Sequence, residues 1–277
     1  MNIGLFAMSG IRVCDVELLR LGLTLPGFVE RSKTIASLPS LGLLTLAGMT
    51  PATHSVRYYE VSDVKQWDEL PRGLDLAAIS SYSAQIDEAY ELARRFRAAG
   101  VLTVIGGPHV TALPDEAAAY CTAVVAGEVE ACWPHVLADA EHGQLKPVYR
   151  AGPDAFDMAA APMPAFEPLD IAKYNRLPVQ TSRGCPHRCE FCASSVMLTN
   201  RYEQKPAAKV LAEIARIREI WNQPFIEFAD DNSFVNHSYW KELLEPLKRK
   251  GLKWFAETDL SVADDEELLD LMRETGC

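Results

Sequence analysis

At 277 residues the chain is long enough for two domains, each with its own core. Its residues are 48% hydrophobic and 23% charged, as in an ordinary globular protein, and a net charge of −11 argues against a nucleic-acid backbone as the main partner. Met1-Asn-Ile-Gly-Leu-Phe-Ala7 lacks the basic region of a signal peptide, and no apolar run reaches the length of a bilayer span, so the expected location is the cytoplasm.

In chain order, the front half alternates short apolar runs with helical patterns, which predicts a parallel sheet wrapped by helices. Strands are expected at Ile3–Ala7, His54–Glu60, Leu76–Ser80, Val101–Ile105 and Ala123–Ala126. Helices are expected from Leu38 to Met49, stopped by Pro51, and from Ile86 to Ala98, ended by Gly100. In such sheets ligands bind beyond the carboxyl ends of the strands. Three loops lie there: Ser80-Ser81-Tyr82, Gly106-Gly107-Pro108-His109 and Gly127-Glu128-Val129-Glu130. Paired glycines directly after a strand permit close backbone approach; a plain tight turn reads equally well.

Residues 144–175 change character, with Pro147, Pro153, Pro162, Pro164 and Pro168 among alanines and acids, and read as a linker between a domain at 1–143 and another at 176–277. A strand is then expected at Leu177–Ser182. Pro206 opens a helix whose apolar face is Val210, Leu211, Ile214, Ile217 and Trp221. Phe225–Ala229 is a second strand, tipped by Asp230-Asp231-Asn232, which also reads as a cap for the next helix. Ser238 is the expected cap of a helix through Leu247. A third strand, Leu252–Ala256, ends at Glu257, and Asp264 with Glu267 opens a last helix.

The chemistry of the sequence concentrates at Cys185, Cys189 and Cys192, spaced C-x3-C-x2-C in the loop that leaves the first of these strands. Three thiolates on one loop suit three corners of a cubane iron–sulfur cluster. A structural zinc site takes four ligands in two separated pairs, an ordinary ferredoxin loop supplies a fourth cysteine, and a disulfide framework belongs to short secreted chains. The chain has no second C-x2-C, and His187 lies within the loop, too close to its neighbours to reach the same metal. Cys14, Cys121, Cys132 and Cys277 are scattered singly and are expected to be small buried hydrophobes in a reducing compartment.

The cysteine loop resembles that of the radical S-adenosylmethionine (SAM) enzymes. The three strand-tip loops of the front half, with G-G-P-H and G-E-x-E, resemble the cobalamin-binding domain that precedes many of their barrels, although Val129 stands where a glycine is common. The resemblance implies an α/β architecture: a Rossmann-like (flavodoxin-like) domain followed by the first half of a radical SAM partial (β/α)6 barrel. Three of the six barrel strands are counted, so the chain reads as a fragment of a longer enzyme.

The same resemblance implies the cofactors. A 4Fe–4S cluster on Cys185, Cys189 and Cys192 would leave one iron open to SAM, whose reductive cleavage yields a 5′-deoxyadenosyl radical. Phe191 would offer backbone to the adenine, and Asp230 or Asp231 would bind the SAM amine. Ser80, Ser81, Tyr82, Gly106, Gly107, Pro108, His109, Gly127 and Glu128 would line a cobalamin. No histidine precedes His54, so the first loop supplies no lower cobalt ligand, and His109 is the one stand-in. The implied activity is methylation of an unactivated carbon of a small molecule or natural product, with flavodoxin or ferredoxin as electron donor. A cyclase or rearrangement enzyme without methyl transfer and a non-catalytic cofactor-binding module are the alternatives. A methylthiotransferase acting on RNA would need three further clustered cysteines in the front half, which are absent.

Overall fold

The computed structural model describes residues 1–8, 38–152, 156–192 and 201–277. A six-stranded, all-parallel sheet forms the front of the molecule, in the order β2-β1-β3-β4-β5-β6. Its strands are β1 (Asn2–Met8), β2 (Ser55–Val61), β3 (Leu76–Ser80), β4 (Leu102–Gly106), β5 (Ala123–Ala126) and β6 (Val148–Arg150). The central strands are nearly continuous apolar runs because both faces are covered. Alternate residues serve the two faces. Phe6, Ile79 and Ile105 pack on one side with Ala89, Ala93 and Phe96 of α2 (Ile86–Ala98). Leu5, Ala78 and Val104 pack on the other with α1 (Leu41–Met49) and α5 (Val129–Glu141), where Trp133 is fully buried. Two short helices, α3 (Pro108–Ala112) and α4 (Pro114–Ala118), follow β4.

The α/β class and the parallel sheet are as the sequence implies, and the strand order reverses between β1 and β3, the crevice where such sheets take ligands. β6 is a strand that the five expected ones did not include; it lies within 144–175, pairs with β5 and extends the sheet by one. Helix α1 begins at Leu41 rather than Leu38: Ser40 caps it, and the residue before Pro39 is disfavoured in helical conformation.

The second region has three parallel strands, β7 (Leu177–Val179), β10 (Phe225–Phe228) and β11 (Lys253–Ala256), in the order β11-β10-β7. Helices α6 (Ala207–Ile220), α7 (His237–Leu244) and α8 (Glu266–Thr275) cover one face of them. Val179, Ile226, Phe228 and Trp254 of the strands meet Val210, Ile214, Trp240 and Leu268 of the helices in one core. The expected strand Leu177–Ser182 is split. After β7 the chain turns into a two-residue strand β8 (Ser182–Arg183), which pairs antiparallel with β9 (Glu203–Gln204). Two caps also move. Asn236, not Ser238, accepts from Tyr239 N at 3.2 Å, and Asp265, not Asp264, accepts from Leu268 N at 3.1 Å. In both, a non-helical residue three positions upstream places its oxygen over the free amide.

The two regions are packed into each other. Leu44 of α1 is buried in the second core beside Phe166, Tyr174 and Leu177. Ala165 N donates to Leu44 O at 2.9 Å, and the chain passes so close to α1 that a Cβ on Gly48 would sit 2.0 Å from Met163 O. The hydroxyls of Tyr58 and Tyr174 both donate to Glu60 Oε1, at 3.1 and 2.7 Å. Among the described residues, no helix is long and apolar enough to cross a membrane.

Candidate active site

Two groups of strand-tip loops make up the site. In the front domain, Ser80 ends β3 in register with Gly106 at the end of β4. Ser81 is buried and its N donates to Gly106 O at 3.3 Å, whereas Tyr82 is 66% exposed beside it. Gly107 has φ +117°, and a Cβ there would lie 2.5 Å from Ser81 O, so only glycine lets these loops touch. Pro108 then starts α3. Thr111 ties this loop to the next: its Oγ1 donates to Gly107 O and accepts from Gly127 N, both at 3.0 Å. Gly127 has φ +87°, and Glu128 and Val129 open α5.

His109 is committed within the protein. Its Nδ1 meets Ser83 Oγ at 3.0 Å and its Nε2 meets Glu116 Oε1 at 3.2 Å. Glu116 also accepts from Tyr90 OH at 2.9 Å; with His109 this holds its carboxyl below the ordinary carboxylate range, while burial pushes the Tyr90 phenol up. Both imidazole nitrogens thus already have partners, which leaves neither free as a cobalt ligand in this conformation.

In the second region the rim is built at the carboxyl ends of β7, β10 and β11. Asp230 is buried, and its carboxylate accepts from Thr181 N at 2.7 Å, Thr181 Oγ1 at 2.6 Å, Ser182 N at 2.9 Å and Ser233 Oγ at 3.3 Å. Burial pushes its pKa up to about 6, against those hydrogen bonds, which favour the ionised form. Asp230 therefore clasps the β10 tip to the turn that launches the cysteine loop. Asp231 next to it is exposed. Neither acid caps α7. A second clasp links the other tips: Asn232 Nδ2 donates to Asp259 Oδ2 at 2.7 Å, Asp259 N donates to Asn232 Oδ1 at 3.1 Å, and His187 Nε2 meets Asp259 Oδ2 at 2.8 Å. Hydrogen bonds from Ser261, Asn232 and His187 hold the Asp259 carboxyl well below the usual range.

The cysteine loop leaves β8 through Gly184, at φ +80°. Cys185 and Cys192 are half-buried, Cys189 is exposed, and Cys192 N donates to Cys189 O at 3.0 Å. None of the three is in a disulfide, and Phe191 is 92% exposed. Of the scattered cysteines, Cys121 and Cys132 are buried as expected, and burial pushes Cys121 up to about 11. Cys277 is exposed rather than buried, because it follows the left-handed Gly276 that ends α8, and Cys14 lies outside the described residues.

Sequence reading missed Arg183, which joins the two groups of loops. Its Nη1 lies 3.1 Å from Glu128 Oε1 and its Nη2 lies 2.7 Å from Glu130 Oε1, so Glu128, read as a cofactor contact, is engaged by the neighbouring domain. Gln180 Oε1 accepts from Nη2 at 3.1 Å, and the Phe156 ring lies 5.3 Å from the guanidinium carbon. Burial works against the guanidinium charge, yet Glu130 and Glu128 hold its pKa above the ordinary value. An arginine two residues before the first cysteine was the only available signal.

Comparison with known proteins gives this geometry a family. The radical SAM superfamily model matches residues 179–277 and the B12 binding domain model matches residues 36–137. Residues 179–277 thus match a radical SAM domain. The chain's front half matches the B12 binding domain model, and most of the similar proteins are methyltransferases or methylases by name. It is 30% identical over 243 residues to bacteriochlorophyllide d C-12(1)-methyltransferase of Chlorobaculum tepidum, a match spanning 82% of this chain and 52% of that protein. It is 29% identical over 248 residues to hopanoid C-2 methylase of Rhodopseudomonas palustris, spanning 86% of this chain and 47% of that one. The fold is that of the radical SAM methyltransferase TsrM from Kitasatospora setae, solved with cobalamin and a [4Fe-4S] cluster: TM-score 0.71 at 14% identity, covering 100% of this chain and 59% of that one. The chain spans about half the length of the curated relatives it matches.

The radical SAM domain implies a 4Fe–4S cluster and SAM, the B12 binding domain implies cobalamin, and the residues present fit them. The cysteine loop offers three free thiols and no competing imidazole, since His187 is turned to Asp259. Among the described residues no three His, Cys, Asp or Glu side chains are already gathered as metal ligands, so the loop supplies donors that a bound cluster would draw together. In the front domain, Gly107 lets the loop after β4 lie directly against Ser81 at the tip of β3, beside the switch point where such sheets take ligands.

Proposed function

We propose that this radical SAM chain is the cofactor-binding part of a cobalamin-dependent methyltransferase that methylates an unactivated carbon of a small molecule. The carrying observation is that loops of the B12 domain and the root of the C-x3-C-x2-C loop meet directly, through Arg183, Glu128 and Glu130. When bound, the cluster supplies the electron that cleaves SAM to a 5′-deoxyadenosyl radical, and cobalamin carries the methyl group.

The chain's own residues hold these groups in place. Cys185, Cys189 and Cys192 ligate the cluster. Asp231, exposed at the β10 tip, takes the SAM ammonium, and Asp230 holds the turn beneath it rather than the ligand. Phe191 presents its backbone to the adenine. Ser80, Ser81, Tyr82, Gly106, Gly107 and Pro108 face the cobalamin, with Gly107 keeping the two loops in contact. His109 stays bonded to Ser83 and Glu116, which leaves the cobalt without a histidine from this domain. The protein works in the cytoplasm and draws its electron from a flavodoxin or ferredoxin.

The test is anaerobic reconstitution of the full-length protein with iron, sulfide and cobalamin, followed by methyl-labelled SAM and a panel of candidate acceptors. Label in an acceptor together with 5′-deoxyadenosine supports the proposal. 5′-Deoxyadenosine with an unlabelled, rearranged product supports a cyclase, a class represented among similar proteins by the anaerobic magnesium-protoporphyrin IX monomethyl ester cyclase of Synechocystis, 26% identical over 175 residues. Cofactor binding with no SAM cleavage supports a non-catalytic module.

A further inference from the structure

We propose that Arg183 is a positioning residue that locks the loop Gly127–Glu130 of the B12 domain to the root of the cysteine loop, so that the two cofactor sites move as one unit. The inference rests on the reading above that both loops serve cofactors. Arg183 is fixed from four directions: Glu128 Oε1 at 3.1 Å, Glu130 Oε1 at 2.7 Å, Gln180 Oε1 at 3.1 Å, and the Phe156 ring at 5.3 Å. Glu130 is buried and the other members are mostly shielded, so the fork is little screened by solvent.

Direction is what this contact adds. The packing of Leu44 against Phe166 and Tyr174, with the hydrogen bonds from Ala165 N and Tyr174 OH, ties α1 and β2 to residues 165–174. The planar guanidinium of Arg183 with its two carboxylates instead ties α5 to the cysteine loop itself, in one good arrangement. Both acids sit at the start of α5, where the helix dipole already favours negative charge. Arg183 follows the turn clasped by Asp230 and precedes Cys185 by two residues. A shift of α5 is therefore transmitted to the thiols through two hydrogen-bonded links. Glu128 serves this lock and not the cofactor.

Hydrogen–deuterium exchange on the full-length protein tests the lock without requiring turnover. In Arg183→Lys and in Glu130→Gln, amides of both 127–130 and 183–192 should exchange about tenfold faster than in the parent, with cobalt and iron content retained. Exchange that quickens only in the loop carrying the substitution would overturn the proposal. Should Arg183→Lys fail to fold, Glu128→Gln and Glu130→Gln make the same comparison from the other side. In the loaded enzyme, the ratio of 5′-deoxyadenosine to methylated product should rise several-fold in the same variants. A parent that makes no methylated product would defeat the functional reading above, and the exchange result would still decide the lock.

Discussion

Around Gly107 the backbone is closed on itself: Ser81 is packed beneath it, Thr111 Oγ1 bonds Gly107 O and Gly127 N, and both nitrogens of His109 are taken. Around Cys189 the opposite holds. The loop from Gly184 to Cys192 is exposed at its centre, and among the described residues it is held by a backbone hydrogen bond from Cys192 N to Cys189 O and by His187 to Asp259. One site is shaped by the protein before any ligand arrives; the other is a set of donors whose shape a ligand completes. On the proposed function, a large rigid cofactor would meet the preformed loops, whereas an inorganic cluster would impose its own geometry on the thiols.

Substitutions sharpen this contrast. Cys189→Ala should abolish the cluster and bring 5′-deoxyadenosine formation in the full-length protein to background. Urea unfolding without iron should stay within about 0.5 kcal/mol of the parent, because the side chain is exposed. A large loss of stability without iron would show that the cysteine loop is as preformed as the front loops.

Gly107→Ala is the reciprocal case, expected to cost about 3 kcal/mol by thermal or urea unfolding before any cofactor is added, since it strains φ +117° and drives a methyl into Ser81 O. Asp230→Asn should cost about 2 kcal/mol at neutral pH, because an amide cannot accept from four surrounding donors. The folded pKa of Asp230, about 6, lies above the unfolded value of 3.8, so the folded state binds this proton more tightly. Its contribution is greatest below about pH 4 and is lost as pH rises through about 6. Unfolding measured from pH 4.5 to 7.5 should show that downward slope in the parent and not in the Asn variant. Thr111→Val, which breaks the tie between the front loops, should cost about 1 kcal/mol and weaken cobalamin binding without changing iron content.

Much of the candidate site was legible because its signals are local. Cys185, Cys189 and Cys192 lie within one short loop, and Gly106-Gly107 follows a strand whose apolar run is unmistakable. The roles of Asp230 and Glu128 were not legible, because each is defined by a partner far away in the chain. Asp230 reads as a rim acid until Thr181 and Ser182 fold over it, 49 and 48 residues upstream. Glu128 reads as a loop acid until Arg183 arrives from 55 residues downstream. Cap positions slipped by one or two residues for a different reason: Asn236 and Ser238 are both good caps, and only the entry direction of the chain chooses between them.

By itself, then, the sequence determined the periodicities that make strands and helices, the glycines that positive φ requires, and the thiol spacing that predicts a cluster, since each acts over a few bonds. The tertiary structure alone decided which acids face solvent and which are spent inside, that β6 extends the sheet, and that one guanidinium joins the loop Gly127–Glu130 to the root of the cysteine loop. Those outcomes depend on groups brought together only once the chain has closed, and charge and hydrogen bonding act over ångströms in space rather than positions in sequence.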